Sequence, residues 1–264
     1  MTTNLRWFKG LIGSGALVLL ASSVPVVKAD VIFNAESVFS NTFGTLDATT
    51  GVFTAISTGP LNPAVAGLGE VGGVLYATDY ESVGQLYSID PGTGIFTAIG
   101  SATGISYYDF GATLTTLFVT DTSLNLYSVD PGTGVAMLIG ATGLPTCSGS
   151  QLSNNSNTLY TDQCGNLYTI DPATAAPTLI GPTGNYDALS IYGGTLYGAG
   201  SLPGTVDTVD TTTGNPTTGP AVTGTPNSDL AIFGIAPSAV PEPGTFLLLA
   251  AALAALPLLR RRKA

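Results

Sequence analysis

Apolar positions in this chain fall in short runs punctuated by Gly, Pro, Asp and Thr, and the runs recur. The clearest unit is Leu86–Gly100, LYSIDPGTGIFTAIG, which returns as LYSVDPGTGVAMLIG at Leu126–Gly140 and as LYTIDPATAAPTLIG at Leu167–Gly181. Fainter copies bracket these three: FGTLDATTGVFTAIS from Phe43 and VDTVDTTTGNPTTGP from Val206. LYSI and IFTAI are rich in β-branched and aromatic residues and read as strands. Between them, Asp90-Pro91-Gly92-Thr93-Gly94 is turn chemistry: Asp can accept from the backbone ahead of it, and Pro presets φ at the next position. Ala173 stands where Gly92 does, so that place needs no positive φ and the turn reads as type I. Gly94 reads as a left-handed bulge residue, although Ala175 occupies that place in the fourth copy. The turn aspartates, Asp47, Asp90, Asp130, Asp171 and Asp210, are spaced by 43, 40, 41 and 39 residues. They are expected to brace hairpins rather than bind metal, because each has a local backbone partner. A period near 40 with several short strands per unit is the pattern of a propeller blade.

Walking back from each turn completes the unit. An LY-type strand precedes each copy, at Leu75-Tyr76, Leu117-Phe118, Leu159-Tyr160 and Leu196-Tyr197, with another short apolar run before it, giving four strands per repeat. The runs do not alternate strictly, which suits sheets covered on both faces by neighbours. Ile32–Gly51 matches Leu75–Gly94 and so supplies strands two to four of a blade without its first strand. Asp229–Ile235, DLAIFGI, is a first strand with no repeat after it. Pairing these ends closes a ring and hides both edges. The expected fold is all-β: a five-bladed β-propeller over residues 30–236, with a two-sided solenoid as the alternative.

Charge distribution adds an address. Of 264 residues, 7 are basic and 17 acidic, with no histidine. Arg6, Lys9 and Lys28 lie near the start, Arg260–Lys263 lie at the end, and no Lys, Arg or His occurs from Asp30 to Pro237. Such a body repels nucleic acid and anionic membranes. It lacks an imidazole base, an amine nucleophile and a cationic clamp, so it is not expected to be an enzyme; carboxylates alone leave glycoside hydrolysis open. Residues 1–29 read as a signal peptide: a basic start, a mostly apolar Leu11–Val27, and Val27-Lys28-Ala29 as a small-x-small cleavage site. Residues 237–264 comprise a Pro-rich linker, the uncharged apolar stretch Thr245–Leu259 and the basic tail. Fifteen helical residues reach about 22 Å, short of the ~30 Å hydrocarbon core, so snorkelling arginines must help the stretch cross as a transmembrane helix.

The tail, Pro241-Glu242-Pro243-Gly244 followed by an apolar segment and Arg260-Arg261-Arg262, resembles the PEP-CTERM protein-sorting signal. The resemblance covers only about the last 25 residues. It implies a bacterium that makes exopolysaccharide and processing by an exosortase, in keeping with export through the inner membrane and removal of residues 1–29 by signal peptidase. The protein would then lie at the cell surface or outside it, held at the membrane through its C-terminal helix until processed. The resemblance implies nothing about what the repeat body does.

Three features of the body are candidate chemistry. Cys147 precedes the first strand of the fourth blade and Cys164 lies between its second and third strands; both points fall at one end of an up-and-down sheet, so a disulfide is expected. Asp109, Asp187 and Asp229 stand near the starts of first strands and could gather at the channel mouth, where Ca²⁺ would relieve their repulsion. Tyr107, Tyr108 and Tyr186 lie beside those carboxylates, an arrangement suited to stacking sugars. The expected function is therefore a binding or structural surface protein, with exopolysaccharide as the partner. The alternatives are a bland polyanionic spacer and a carboxylate glycosidase or lyase.

Overall fold

The computed structural model describes residues 32–37, 42–57, 65–80, 82–147, 151–153, 156–200, 204–224 and 232–237. The expectations for residues 1–29, for the apolar helix and basic tail, and for Pro241, Glu242, Pro243, Gly244, Arg260, Arg261 and Arg262 lie outside the described residues, as does Asp229. The described part is all-β and propeller-like, with no helix among the described residues.

The strands assemble into five four-stranded antiparallel sheets. Four are each cut from one continuous stretch of chain. Sheet two holds β4 (Val65–Val71), β5 (Val74–Asp79), β6 (Leu86–Asp90) and β7 (Ile95–Ile99). Sheet three holds β8 (Tyr107–Ala112), β9 (Leu117–Asp121), β10 (Asn125–Val129) and β11 (Ala136–Ala141). Sheet four holds β12 (Gln151–Leu152), β13 (Leu159–Gln163), β14 (Asn166–Ile170) and β15 (Pro177–Pro182). Sheet five holds β16 (Ala188–Tyr192), β17 (Thr195–Ala199), β18 (Val206–Val209) and β19 (Pro216–Thr217). Sheet one is composite: β1 (Ile32–Ser37), β2 (Thr42–Asp47) and β3 (Phe53–Ala55) are joined by β20 (Ile232–Pro237), which pairs with β1 from Phe33↔Pro237 to Ser37↔Ile232. The first strands touch in cyclic order, β20 to β4, β4 to β8, β8 to β12, β12 to β16 and β16 back to β20.

The closing strand thus pairs as expected but runs two residues further than Asp229–Ile235. Burial explains the shift: Ile235 packs with Leu46, Ala188 and Val206 on one side, and Ala236 with Phe43, Leu68 and Leu75 on the other. Consecutive residues of a strand point to opposite faces, so both must be apolar when both faces are covered. The same logic runs round the ring. Leu159 packs with Phe118 and Leu126 of sheet three, and its neighbour Tyr160 with Tyr186 and Leu189 of sheet five.

The turn aspartates do what the repeat predicts. Asp130 Oδ1 accepts from the backbone N–H groups of Gly132 at 2.9 Å and Thr133 at 2.8 Å; Asp90, Asp171 and Asp210 accept in the same way from Gly92, Ala173 and Thr212. The Thr133 and Thr212 hydroxyls, with these backbone amides behind them, hold Asp130 and Asp210 below the usual carboxylate range, and the Ala173 N–H with the Thr174 hydroxyl does the same for Asp171. Gly94 is left-handed at φ 69°, and so is its counterpart Ala175 at 63°. A buried methyl among Phe118, Leu126 and Leu152 accompanies that strained backbone.

Candidate functional site

One face of the ring gathers the ends of the second strands, the loops from second to third strand and the segments that enter the first strands. In sheet three a bulge interrupts the first strand there. In β8, Tyr107 pairs with Asp121 and Asp109 with Thr120, so Tyr108 is the extra residue of a bulge. Sheet two has the same bulge, with Val65 opposite Asp79 and Gly67 opposite Thr78, but fills it with Ala66. A bulge re-aims its side chain, and the half-buried ring of Tyr108 lies 5.9 Å from that of Tyr80, tilted by 37°. The Tyr108 hydroxyl donates to the Cys147 carbonyl at 2.6 Å. Cys147 is bonded to Cys164 with a Cα–Cα distance of 5.4 Å, as the strand layout led one to expect. A partly open aromatic pair is therefore tied to the disulfide and, through it, to sheet four.

The other tyrosines expected to bind a ligand are corrected by burial. Tyr107 and Tyr186 are each 1% exposed, so neither can offer a ring face to a sugar. Tyr107 packs with Tyr76, Leu86 and Phe110, with its hydroxyl 3.0 Å from that of Thr103. Tyr186 packs with Leu167, Leu189 and Leu196 and donates to Asp207 Oδ2 at 2.8 Å. Burial and the charge of Asp207 push the Tyr186 phenol well above its ordinary value.

The aspartates are corrected in register. Ala188 pairs with Ala199 as Asp109 does with Thr120, and Ala199 and Thr120 hold the same place against the third strand. Tyr186 therefore matches Tyr107, and Asp187 matches Tyr108 rather than Asp109. Asp109 is buried inside β8, accepts from the Thr120 hydroxyl at 3.0 Å and faces sheet four; Asp187 lies just before β16. The two occupy different seams, and no group of three or more potential metal ligands forms among the described residues.

Sequence reasoning passed over Tyr80 and, more important, Asp162. A Thr-Asp pair ends the second strand as Thr78-Asp79 and Thr120-Asp121. Asp79 accepts there from the N–H groups of Val83 and Gln85, and Asp121 from those of Ser123 and Asn125. In sheet four the pair slips one place. Asp162 sits opposite Leu167, where Thr78 sits opposite Leu86 and Thr120 opposite Leu126. The carboxylate is thereby turned into the seam with sheet five, fully buried, where Oδ2 accepts from the Tyr186 N–H at 3.1 Å and Oδ1 has no partner. Burial raises its pKa to about 7, against the pull of the nearby amides of Tyr186, Asn185 and Gly165 and with a further push from Asp187. The one-place slip in an otherwise regular Thr-Asp repeat was the available signal. On the opposite face, a cleft of about 560 Å³ lined by residues including Thr115, Thr116, Phe118 and Ile139 contains no titratable side chain.

This is a repeat-built, propeller-like body, and its relatives in fold agree. A chain from the crystal structure of the nidogen/laminin complex superposes with a TM-score of 0.51 at 15% identity, over 77% of this chain and 96% of that one. A structural genomics protein of unknown function from Bacteroides thetaiotaomicron VPI-5482 gives 0.51 at 14% identity, over 72% of this chain and 57% of that one. At such identities the likeness shows the fold. Residues 239–263 match the PEP-CTERM protein-sorting motif, which implies export, sorting to the cell surface and processing by an exosortase. Among curated proteins no sequence matches. Among the described residues no helix is long and apolar enough to cross a membrane, and the apolar stretch Thr245–Leu259 lies outside them.

Proposed function

We propose that this is an exported surface or matrix protein whose body, a closed five-bladed propeller, serves as a binding module rather than an enzyme. The observation that carries the reading is the sorting motif at residues 239–263 behind a repeat-built ring. In this reading residues 1–29 are removed on export, and the C-terminal segment holds the chain in the membrane until an exosortase acts. The binding face is the one with the Tyr80–Tyr108 pair. Its ligand is a neutral saccharide segment of the exopolysaccharide, since a body without Lys, Arg or His disfavours polyanions. A neighbour in fold comes from a complex, that of nidogen and laminin, which is consistent with such scaffolds working by binding. The test is retention of the full-length chain on exopolysaccharide from a host with a matching exosortase. Wild type should be retained and Tyr108→Ala should lose at least tenfold in affinity. Equal retention of the two would refute the assigned face, and no retention of either would refute the binding role.

A further inference from the structure

We propose that the outer edge of sheet three is a self-association surface, where β11 pairs antiparallel with β11 of a second copy of this chain. This goes beyond the saccharide reading and uses a different part of the ring. The five outer strands treat one backbone position differently. In sheet one the Asp47 N–H donates to the Val52 carbonyl, so Val52 faces inward and the next residue, Phe53, faces out; its N–H donates to the Thr223 carbonyl at 2.7 Å. The same inward bond runs from Asp130 to Val135, from Asp171 to Ala176 and from Asp210 to Asn215. The outward place, opposite Leu46, Val129, Ile170 and Val209, is held by Phe53, Ala136, Pro177 and Pro216. Proline has no N–H, so sheets four and five lack the outward donor, and sheet one has capped it. In sheet three Ala136 keeps its N–H, and β11 ends its sheet with no strand beyond it among the described residues.

β11 and its lead-in also expose large apolar side chains: Val135 is 57%, Met137 67% and Leu138 63% exposed. Phe96 of β7 keeps the same donor in sheet two, but of that strand's large apolar residues only Ile95 is exposed. An open apolar edge is a template for another strand, and its own geometry and charge make that strand a second copy. Alternation along an antiparallel strand turns the backbone of Leu138 outward together with that of Ala136. Two copies related by a two-fold axis at Met137 then exchange bonds between Ala136 of one and Leu138 of the other, and again in reverse, with Met137 facing Met137. The body has no Lys, Arg or His from Asp30 to Pro237, so copies repel wherever their carboxylates meet. From Pro131 to Thr161 there is no charged residue at all, and β11 sits in that neutral stretch.

The test is sedimentation of the full-length chain in detergent. Wild type should pass from monomer to dimer as protein concentration rises, since an edge contact is small and weak. Ala136→Pro copies the prolines of sheets four and five, deletes one hydrogen bond from each copy and should weaken dimerisation by about tenfold or more. Should that variant misfold, Met137→Glu changes only an exposed side chain, sets like charges opposite each other and should also shift the equilibrium to monomer. Met137→Cys should cross-link into dimers under mild oxidation, whereas Leu179→Cys, similarly exposed but on the proline-bounded β15, should not. Wild type that stays monomeric at every concentration, association unchanged in both edge variants (the result of contact through the apolar tail), or equal cross-linking of the two cysteine variants would each overturn the proposal.

Discussion

Replacing Asp162 by asparagine should make the protein more stable at pH 8 and hardly change it at pH 4. The side chain is fully buried at the seam of sheets four and five, and desolvation raises its pKa from 3.8 to about 7. A carboxyl whose folded value lies above its unfolded one binds its proton more tightly in the native state. Its contribution is therefore whole below pH 3.8, declines through the window from 3.8 to about 7, and is gone above it. At about 1.4 kcal/mol per pH unit, the decline amounts to something on the order of 4 kcal/mol. Asparagine keeps an oxygen for the Tyr186 N–H and never ionises, so the variant should lack this slope. The assay is thermal unfolding by circular dichroism from pH 4 to 8, with chelator present so that no divalent ion masks the effect. At about 2–4 °C per kcal/mol for a body of this size, the variant should melt roughly 10 °C higher at pH 8. Carboxylates remote from the seam contribute alike to both proteins and drop out of the difference. Parallel melting curves across the pH range, or a variant less stable at pH 8 than at pH 4 relative to wild type, would refute the reasoning.

Three further outcomes rest on the structure and a fourth on the sorting motif. Changing both Cys147 and Cys164 to alanine should cost about 3 kcal/mol by denaturant titration, the entropic value for a loop of this length, and reduction of wild type should reproduce it. Tyr186→Phe should cost about 1–3 kcal/mol by the same titration, because Asp207 Oδ2 loses its donor in a buried setting, whereas Tyr108→Phe, at a half-buried site, should cost less. Truncation before Ile232 removes the strand that pairs with β1 and should yield aggregates in size-exclusion chromatography rather than a mildly destabilised monomer, since an opened ring exposes strand edges. Changing Pro241-Glu242-Pro243 to alanines should leave export intact but block processing, so that mass spectrometry finds Arg260–Lys263 retained on the surface protein only in the variant.

The repeat made the architecture readable because its signals are local. Asp90 and Asp130 accept from amides two residues ahead, and that bond needs no distant partner. The LY strands carry apolar residues on both faces, which is the requirement of a sheet between two others. The ends declared their pairing because one lacked a first strand and the other was nothing else. The sorting motif was legible for a similar reason: it is contiguous and is recognised as sequence. Tertiary structure alone decided the site. A one-residue bulge at Tyr108 set its half-buried ring apart from the core residue Tyr107, and register buried Tyr186 in the place that matches Tyr107, although all three look alike in the chain. The same offset separated Asp187 from Asp109. A slip of one place in sheet four carried Asp162 from a loop-bracing role into a dry seam, because in a strand each step of one residue reverses the face a side chain meets.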